Sequence, residues 1–322
     1  MFVACRQREA RFPWQTVKVI ILACPGQGSQ TPGFLTPWLD VDGVRELLAG
    51  FSDAAGIDIV AHGTTSDADT IRDTAIAQPL IVAAGLVTAH ALAARGALAG
   101  VGGIAGHSVG EFTAAAVAGV VDDVTALRLV RTRADAMAGA ASTEKTGMSA
   151  VLGGEPAAVV AAAEAAGLSA ANYNGGGQIV VAGRAEDLAS FSAAPPAGTR
   201  VIALQVAGAF HTRFMEDARA ELASAVSGVT ANSPTLPLWT NNDGSRVEDG
   251  SRFLDLLVTQ VAAPVRWDAC MTAFADAGAT GLIEVAPAGA LTGLARRGLK
   301  GLPTVAIKTP DDLQAAVDLI AA

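Results

Sequence analysis

The sequence predicts an α/β protein with a hydrolase-like main domain on a mostly parallel sheet, into which a smaller α+β unit is inserted. Three observations carry this. Apolar strand-like runs alternate with helical patterns along the chain, as they do where parallel strands are joined by crossover helices. About half of the 322 residues are hydrophobic but only 5% are aromatic, so the core must be built from Ala, Val, Leu and Ile. Gly106-His107-Ser108-Val109-Gly110 falls between a strand-like stretch and a helix-like one, which is the setting of a nucleophile elbow. On that motif alone, a glycine-rich turn carrying an ordinary serine stays open.

Taken in order, residues 1–16 are polar and aromatic without periodicity and are expected to be an extension outside the fold. Val17 to Ala23 reads as a buried strand. It runs into Pro25-Gly26-Gln27-Gly28-Ser29-Gln30, a turn at a strand's C-terminal end, where sites gather in open α/β sheets. That loop lacks the Lys of a P-loop and the third Gly of a dinucleotide loop. From Val41 to Gly96 the pattern is mainly helical, with a long apolar helix opening at Ala77-Gln78-Pro79. Its stretch Leu80–Ala94 is broken by His90 and reads as too short or too alanine-rich to span a bilayer.

Around Ser108 the small and β-branched residues before it predict a strand, and Glu111 to Ala118 predicts a helix with an acidic residue in its first turn. Gly100-x-Gly102-x-x-Ala105 with Asp122 beyond it mimics a dinucleotide fingerprint, but alanine-rich helical residues precede it. Asp122 to Met137 has helical spacing and carries Arg128, Arg131 and Arg133, which cannot all face one way. Strands at 146–153, 178–183 and 200–204 alternate with helices at 156–166 and 186–192, which marks the inserted unit as 145–206. The main α/β domain is then 17–144 and 207–322. It resumes through Gly208-Ala209-Phe210-His211, a strand at 238–241, a helix closing before Pro264, and strands at 281–287 and 304–307.

A net charge of −9 disfavours nucleic-acid binding, which relies on a basic face. Any anionic substrate must therefore meet a local cation. Three separated cysteines and four isolated histidines fit neither a disulfide framework nor a metal site. With no transmembrane or signal-like segment read, the cytoplasm is the expected location and no membrane is expected as a partner.

With Gly26-Gln27-Gly28-Ser29-Gln30, Gly106-His107-Ser108-Val109-Gly110-Glu111, Arg133 and Gly208-Ala209-Phe210-His211 in view, the sequence resembles the malonyl-CoA:acyl carrier protein transacylases, related to polyketide synthase acyltransferase domains. The four motifs lie in the family's order over residues 17 to about 310, and the alanine and glycine bias resembles actinobacterial members. The resemblance implies a ferredoxin-like form for the inserted subdomain. It implies Ser108 as nucleophile, His211 as its base, and Gln27 with the Val109 amide as oxyanion hole. Arg133 would hold the malonyl carboxylate, and Phe210 would disfavour a 2-methyl substituent. Gln78 and Asn174 would line the pocket, and a backbone carbonyl near Gln260 would orient the histidine in place of an acid. It further implies no cofactor, with malonyl-CoA and the phosphopantetheine arm of acyl carrier protein as substrates.

Three other readings remain. An esterase or thioesterase of α/β-hydrolase type would need an acid between serine and histidine in the chain, and Asp187 is the residue to nominate. A catalytically silent carrier-binding module is disfavoured by the intact Ser108 and His211. An acyltransferase for another extender, such as methylmalonyl, is disfavoured by Phe210.

Overall fold

The computed structural model describes residues 18–322, so the expected extension 1–16 lies outside the described residues. In chain order the strands are β1 (Ile20–Cys24), β2 (Gly103–Gly106), β3 (Thr146–Gly153), β4 (Ser169–Gly175), β5 (Gln178–Arg184), β6 (Thr199–Ala203), β7 (Leu238–Trp239), β8 (Arg246–Val247), β9 (Gly281–Glu284) and β10 (Thr304–Ala306). The helices are α1 (Val44–Ala55), α2 (Ile59–Thr64), α3 (Thr74–Ala94), α4 (Gly110–Val117), α5 (Asp123–Thr143), α6 (Pro156–Ala165), α7 (Ala185–Ala193), α8 (Glu216–Val226), α9 (Gly250–Gln260), α10 (Trp267–Asp276), α11 (Ala290–Gly298) and α12 (Leu313–Ala321).

Six strands form one sheet in the order β10-β9-β1-β2-β7-β8, parallel except where β8 runs against β7. Every residue of β1, β2 and β9 is buried, as expected of parallel strands covered on both faces. One face packs on α3, α4 and their neighbours; the other packs on a smaller cluster around Trp267, Phe274 and Leu291. Strand β1 has β2 on one side and β9 on the other, so the crossovers diverge there. This places the loops after β1 and β2 beside each other, with Cys24 in register with Gly106.

Helix α3 begins earlier than its sequence indicates. Asp73 caps it by accepting from Ala75 N at 2.8 Å, so Pro79 lies inside the helix rather than ahead of it. Proline cannot donate to the carbonyl four residues back, that of Ala75. Arg131 Nη1 supplies a donor to that oxygen at 3.4 Å. With 21 residues, α3 is long and apolar enough to cross a membrane, contrary to the expectation from Leu80–Ala94, but sixteen of its residues are buried in the fold. Its apolarity on all sides is that of a central core helix. Asp122, the acid of the spurious dinucleotide pattern, caps α5 by accepting from Thr125 N at 2.6 Å.

The second sheet has the order β4-β5-β3-β6, antiparallel throughout, and β3-α6-β4-β5-α7-β6 is its chain order. Alternation along the strands divides its faces. Val151, Ile179 and Val181 pack under α6 and α7, whereas Met148, Ala150 and Val180 face the main domain. Strand β4 is absent from the sequence reading because Ser169-Ala-Ala-Asn-Tyr-Asn-Gly175 has little β-propensity and no clean alternation. Pairing creates it: β5 lies on one edge, and on the other Tyr173 N donates to Val265 O at 2.8 Å while Val265 N donates to Ala171 O at 2.9 Å.

At the end of β9 the fully buried Glu284 receives backbone donors from Gly289 at 2.9 Å, Leu291 at 2.9 Å and Thr292 at 2.8 Å, so it closes the start of α11. Glu284→Leu leaves these donors unpaired and is expected to destabilise the fold by roughly 3 kcal/mol or more, read by denaturant unfolding. A loss below about 1 kcal/mol would mean that water replaces the carboxylate.

Candidate active site

The turn between β2 and α4 is shaped by what glycine omits. A Cβ on Gly106 would lie 2.1 Å from Glu111 N, and one on Gly110 would lie 2.1 Å from Cys24 O, so the backbone closes over itself at both positions. Between them Ser108 is held at φ +52°, a left-handed conformation that L side chains rarely adopt. His211 is held in the same region at φ +62°. Two strained residues meeting at one point is a pattern of functional sites, where the surrounding structure over-determines the backbone.

They meet in a hydrogen bond: Ser108 Oγ donates to His211 Nε2 at 2.7 Å. The other ring nitrogen, Nδ1, donates to the Gln260 carbonyl at 2.8 Å, which fixes the tautomer that leaves Nε2 free to accept. The partner of Nδ1 is thus the backbone at the end of α9 and not a carboxylate. Asp187 lies in α7, on the far side of the second sheet, with its carboxyl beside Gly167. Burial, reinforced by the Arg133 charge, pushes His211 down to about 3, so the ring is neutral at physiological pH.

Arg133 points inward from α5 and is 1% exposed, while Arg131 pairs with Asp135 and Arg128 is exposed. Its Nη1 donates to Gln78 Oε1 at 2.6 Å; its Nη2 donates to Gln260 Oε1 at 2.7 Å and to Ser108 Oγ at 3.1 Å. Phe112 offers its ring 5.8 Å from the guanidinium carbon. Burial pushes Arg133 down to about 9, partly offset by the Glu111 carboxyl, so the group is a cation at neutral pH. Its direct acceptors are neutral amides and a hydroxyl. A buried guanidinium so placed is ready for an anion beside the serine.

These groups open into a cavity of about 440 Å³ between the two sheets, lined by Gln27, Gln78, Ser108, Val109, Arg133, Asn174, Phe210 and His211 among others. All the nominated side chains therefore converge. Val109 immediately precedes α4, where a helix leaves its first amides unpaired. Gln27 is tied by its Nε2 to Arg72 O at 3.2 Å. Asn174 sits on β4 with its amide already engaged: Oδ1 accepts from His107 Nε2 at 2.9 Å and Nδ2 donates to Gln178 Oε1 at 2.8 Å. Met148, Ala150 and Val180 from the second sheet form the apolar wall opposite.

Sequence reasoning missed the layer behind these residues. The Gln260 side chain, not only its carbonyl, contacts Arg133, and it donates to Ser108 O at 3.0 Å and to Glu111. Glu111, an apparent first-turn helix residue, is fully buried. The sixth residue of the elbow motif was its only signal in the sequence.

Residues 22–313 match the acyl transferase domain family. The chain is 47% identical over 302 residues to the malonyl CoA-acyl carrier protein transacylase of Mycobacterium tuberculosis, covering 94% of this chain and all of that one. The chain belongs to the malonyl-CoA:acyl carrier protein transacylase family. Another member, from Escherichia coli, is 33% identical over 302 residues, covering 92% of this chain and 97% of the other. Among solved members, the crystal structure of the Mycobacterium tuberculosis protein aligns with a TM-score of 0.90 at 46% identity, covering 93% of this chain and 99% of that one. A malonyl-transacylase solved in complex with its type II polyketide synthase acyl carrier protein aligns with a TM-score of 0.89 at 28% identity, covering 94% and 99%.

Because its pKa is depressed, His211 should remain an unprotonated acceptor well below the pH at which an ordinary histidine charges. Acylation of Ser108 by a neutral ester is expected to vary by no more than about twofold between pH 8 and pH 5, where a histidine of pKa about 6.5 would lose roughly thirtyfold. Stopped-flow acylation against pH checks this; because burial raises the neighbouring Glu111 carboxyl to about 7, an acid limb near 6.5 that persists in Glu111→Gln would place the ring in a water-like environment.

Proposed function

We propose that this chain transfers the malonyl group from malonyl-CoA to the phosphopantetheine thiol of acyl carrier protein through a malonyl ester of Ser108. The observation that carries the reading is the convergence of a neutral histidine and a buried guanidinium on one serine hydroxyl, at 2.7 Å and 3.1 Å. The first makes a nucleophile. The second selects an acyl group that itself bears a carboxylate.

Serine at its ordinary pKa is a weak nucleophile, so His211 Nε2 removes the Oγ proton as the oxygen attacks the thioester carbonyl. The Gln260 carbonyl keeps Nδ1–H in place and stabilises the imidazolium. Negative charge gathers on the former carbonyl oxygen, for which the Val109 N–H and Gln27 are the donors, each worth roughly 3 to 4 kcal/mol. Collapse breaks the C–S bond, and the imidazolium returns its proton to the departing CoA sulfur. In the second half-reaction His211 takes the proton of the phosphopantetheine thiol, whose sulfur attacks the malonyl ester; the C–O bond breaks and Ser108 recovers the proton. Through both steps Arg133 holds the malonate carboxylate in a planar fork, and an acetyl group leaves that charge unmatched.

Gln78 and Asn174 shape the pocket, the first by holding Arg133 and the second by bracing His107. Phe210 supplies bulk against a 2-methyl group, a discrimination of about 1 to 3 kcal/mol. We read 17–144 together with 207–322 as a hydrolase-like catalytic domain, and 145–206 as a ferredoxin-like wall that excludes water from the ester. No cofactor enters the reaction, and a cytoplasmic setting suits both substrates.

Intact mass after brief incubation with malonyl-CoA, then with holo acyl carrier protein, tests the reading. A malonyl adduct is expected that moves to the carrier and is absent in Ser108→Ala; an adduct released at the same rate without carrier would make the protein a hydrolase. Arg133→Ala is expected to weaken malonyl loading while preserving or raising acetyl loading, and an equal loss of both would remove the guanidinium from substrate recognition. The exposed Arg296, Arg297 and Lys300 at the end of α11 suit an acidic carrier. Reversing their charges is expected to raise KM for the carrier and leave malonyl-CoA loading unchanged; an unchanged KM would move the docking surface elsewhere.

A further inference from the structure

Glu111 has no part in the steps above, yet it is fully buried immediately behind them. Its Oε1 accepts from the Asn241 backbone N–H at 2.7 Å and from Thr240 Oγ1 at 3.1 Å, and its Oε2 accepts from Gln260 Nε2. Packing and hydrogen bonding to Thr240 and Asn241 need only a neutral oxygen. Burial pushes the Glu111 carboxyl up to about 7, opposed by the donors on both of its oxygens and by the Arg133 charge, and those contacts favour the ionised form that accepts on both oxygens.

The Gln260 amide is the partner of Oε2. Its Nε2 faces two acceptors, the Glu111 carboxylate and Ser108 O at 3.0 Å, and its Oε1 faces one donor, Arg133 Nη2 at 2.7 Å. An amide turned over would point its oxygen at a carboxylate and a carbonyl, and its NH₂ at a guanidinium. All three contacts would then be repulsive.

We propose that Glu111 is a positioning residue for malonyl recognition: by accepting from Gln260 Nε2 it sets which way the Gln260 amide faces, so that Oε1 holds the Arg133 guanidinium beside Ser108. This rests on the assignment of Arg133 to the malonyl carboxylate. In Glu111→Gln, the new amide keeps its oxygen on Thr240 and Asn241, where two donors demand it, and turns its NH₂ toward that of Gln260. Relief comes either by rotation of the Gln260 amide, which aims its NH₂ at Arg133 and its oxygen at Ser108 O, or by withdrawal of the Gln260 side chain from position 111; both loosen one of the two amide oxygens that hold the guanidinium.

The experiment compares full-length parent, Glu111→Gln, Gln260→Met and the double variant in single-turnover loading by malonyl-CoA and by acetyl-CoA, read by intact mass. Glu111→Gln is expected to lower malonyl loading by roughly ten- to hundredfold, the scale of one hydrogen bond to a charged group, chiefly through KM. Acetyl loading should change by less than about threefold, and in the Gln260→Met background Glu111→Gln should add less than about threefold to the malonyl defect. Equal loss with both acyl groups would make Glu111 a general structural residue and overturn the proposal. So would defects that multiply in the double variant, because Glu111 would then act by a route other than Gln260. A parent that loads acetyl but not malonyl would instead remove the underlying assignment of Arg133, and this inference with it.

Discussion

The Ser108 hydroxyl lies between two nitrogens of opposite character, a neutral imidazole that accepts its proton and a guanidinium that donates to its oxygen. Both neighbours lead back to Gln260, whose carbonyl orients the imidazole and whose side chain holds the guanidinium. One residue at the end of α9 thus ties the orientation of the imidazole to that of the guanidinium. The desolvation that makes Arg133 a strong partner for an anion is the same desolvation that keeps His211 unprotonated.

This arrangement depends on the sheet. Strands β1 and β2 end in register, and the absent side chains of Gly106 and Gly110 let the chain turn within van der Waals contact of Cys24. The left-handed backbone at Ser108 is a local strain that the surrounding core sustains. The second sheet contributes less chemistry than enclosure. Its apolar face closes the cavity opposite Arg133, and β4 anchors that face to the main domain through Val265, a few residues beyond Gln260.

The sequence patterns matched the structure where local signals and tertiary demands agreed. Strand Thr146–Gly153 and the helix from Pro156 fall where patterning puts them, because a short apolar run suits a strand covered on both faces and an alanine-rich stretch opening on a proline suits a helix without outside help. They diverged where pairing or packing dominates. Asn174 lines the cavity from a strand that patterning does not mark, since alanines and asparagines form β4 only with β5 and Val265 beside them. Helix α3 continues through Pro79, and Arg131, from another helix, reaches the carbonyl that proline abandons.

What the sequence determined by itself is the set of candidate groups that meet in the cavity: the serine between its glycines, the histidine after Phe210, the arginine on the following helix and the glutamine loop after the first strand. Short-range steric and propensity rules shape the segments that carry these groups, and those rules act within a few residues. Which of three arginines turns inward, why Glu111 is buried, and which way the Gln260 amide faces were decided only by the tertiary structure. Each is the outcome of donors and acceptors far apart in the chain, several of them more than a hundred residues, competing for partners in a space without water.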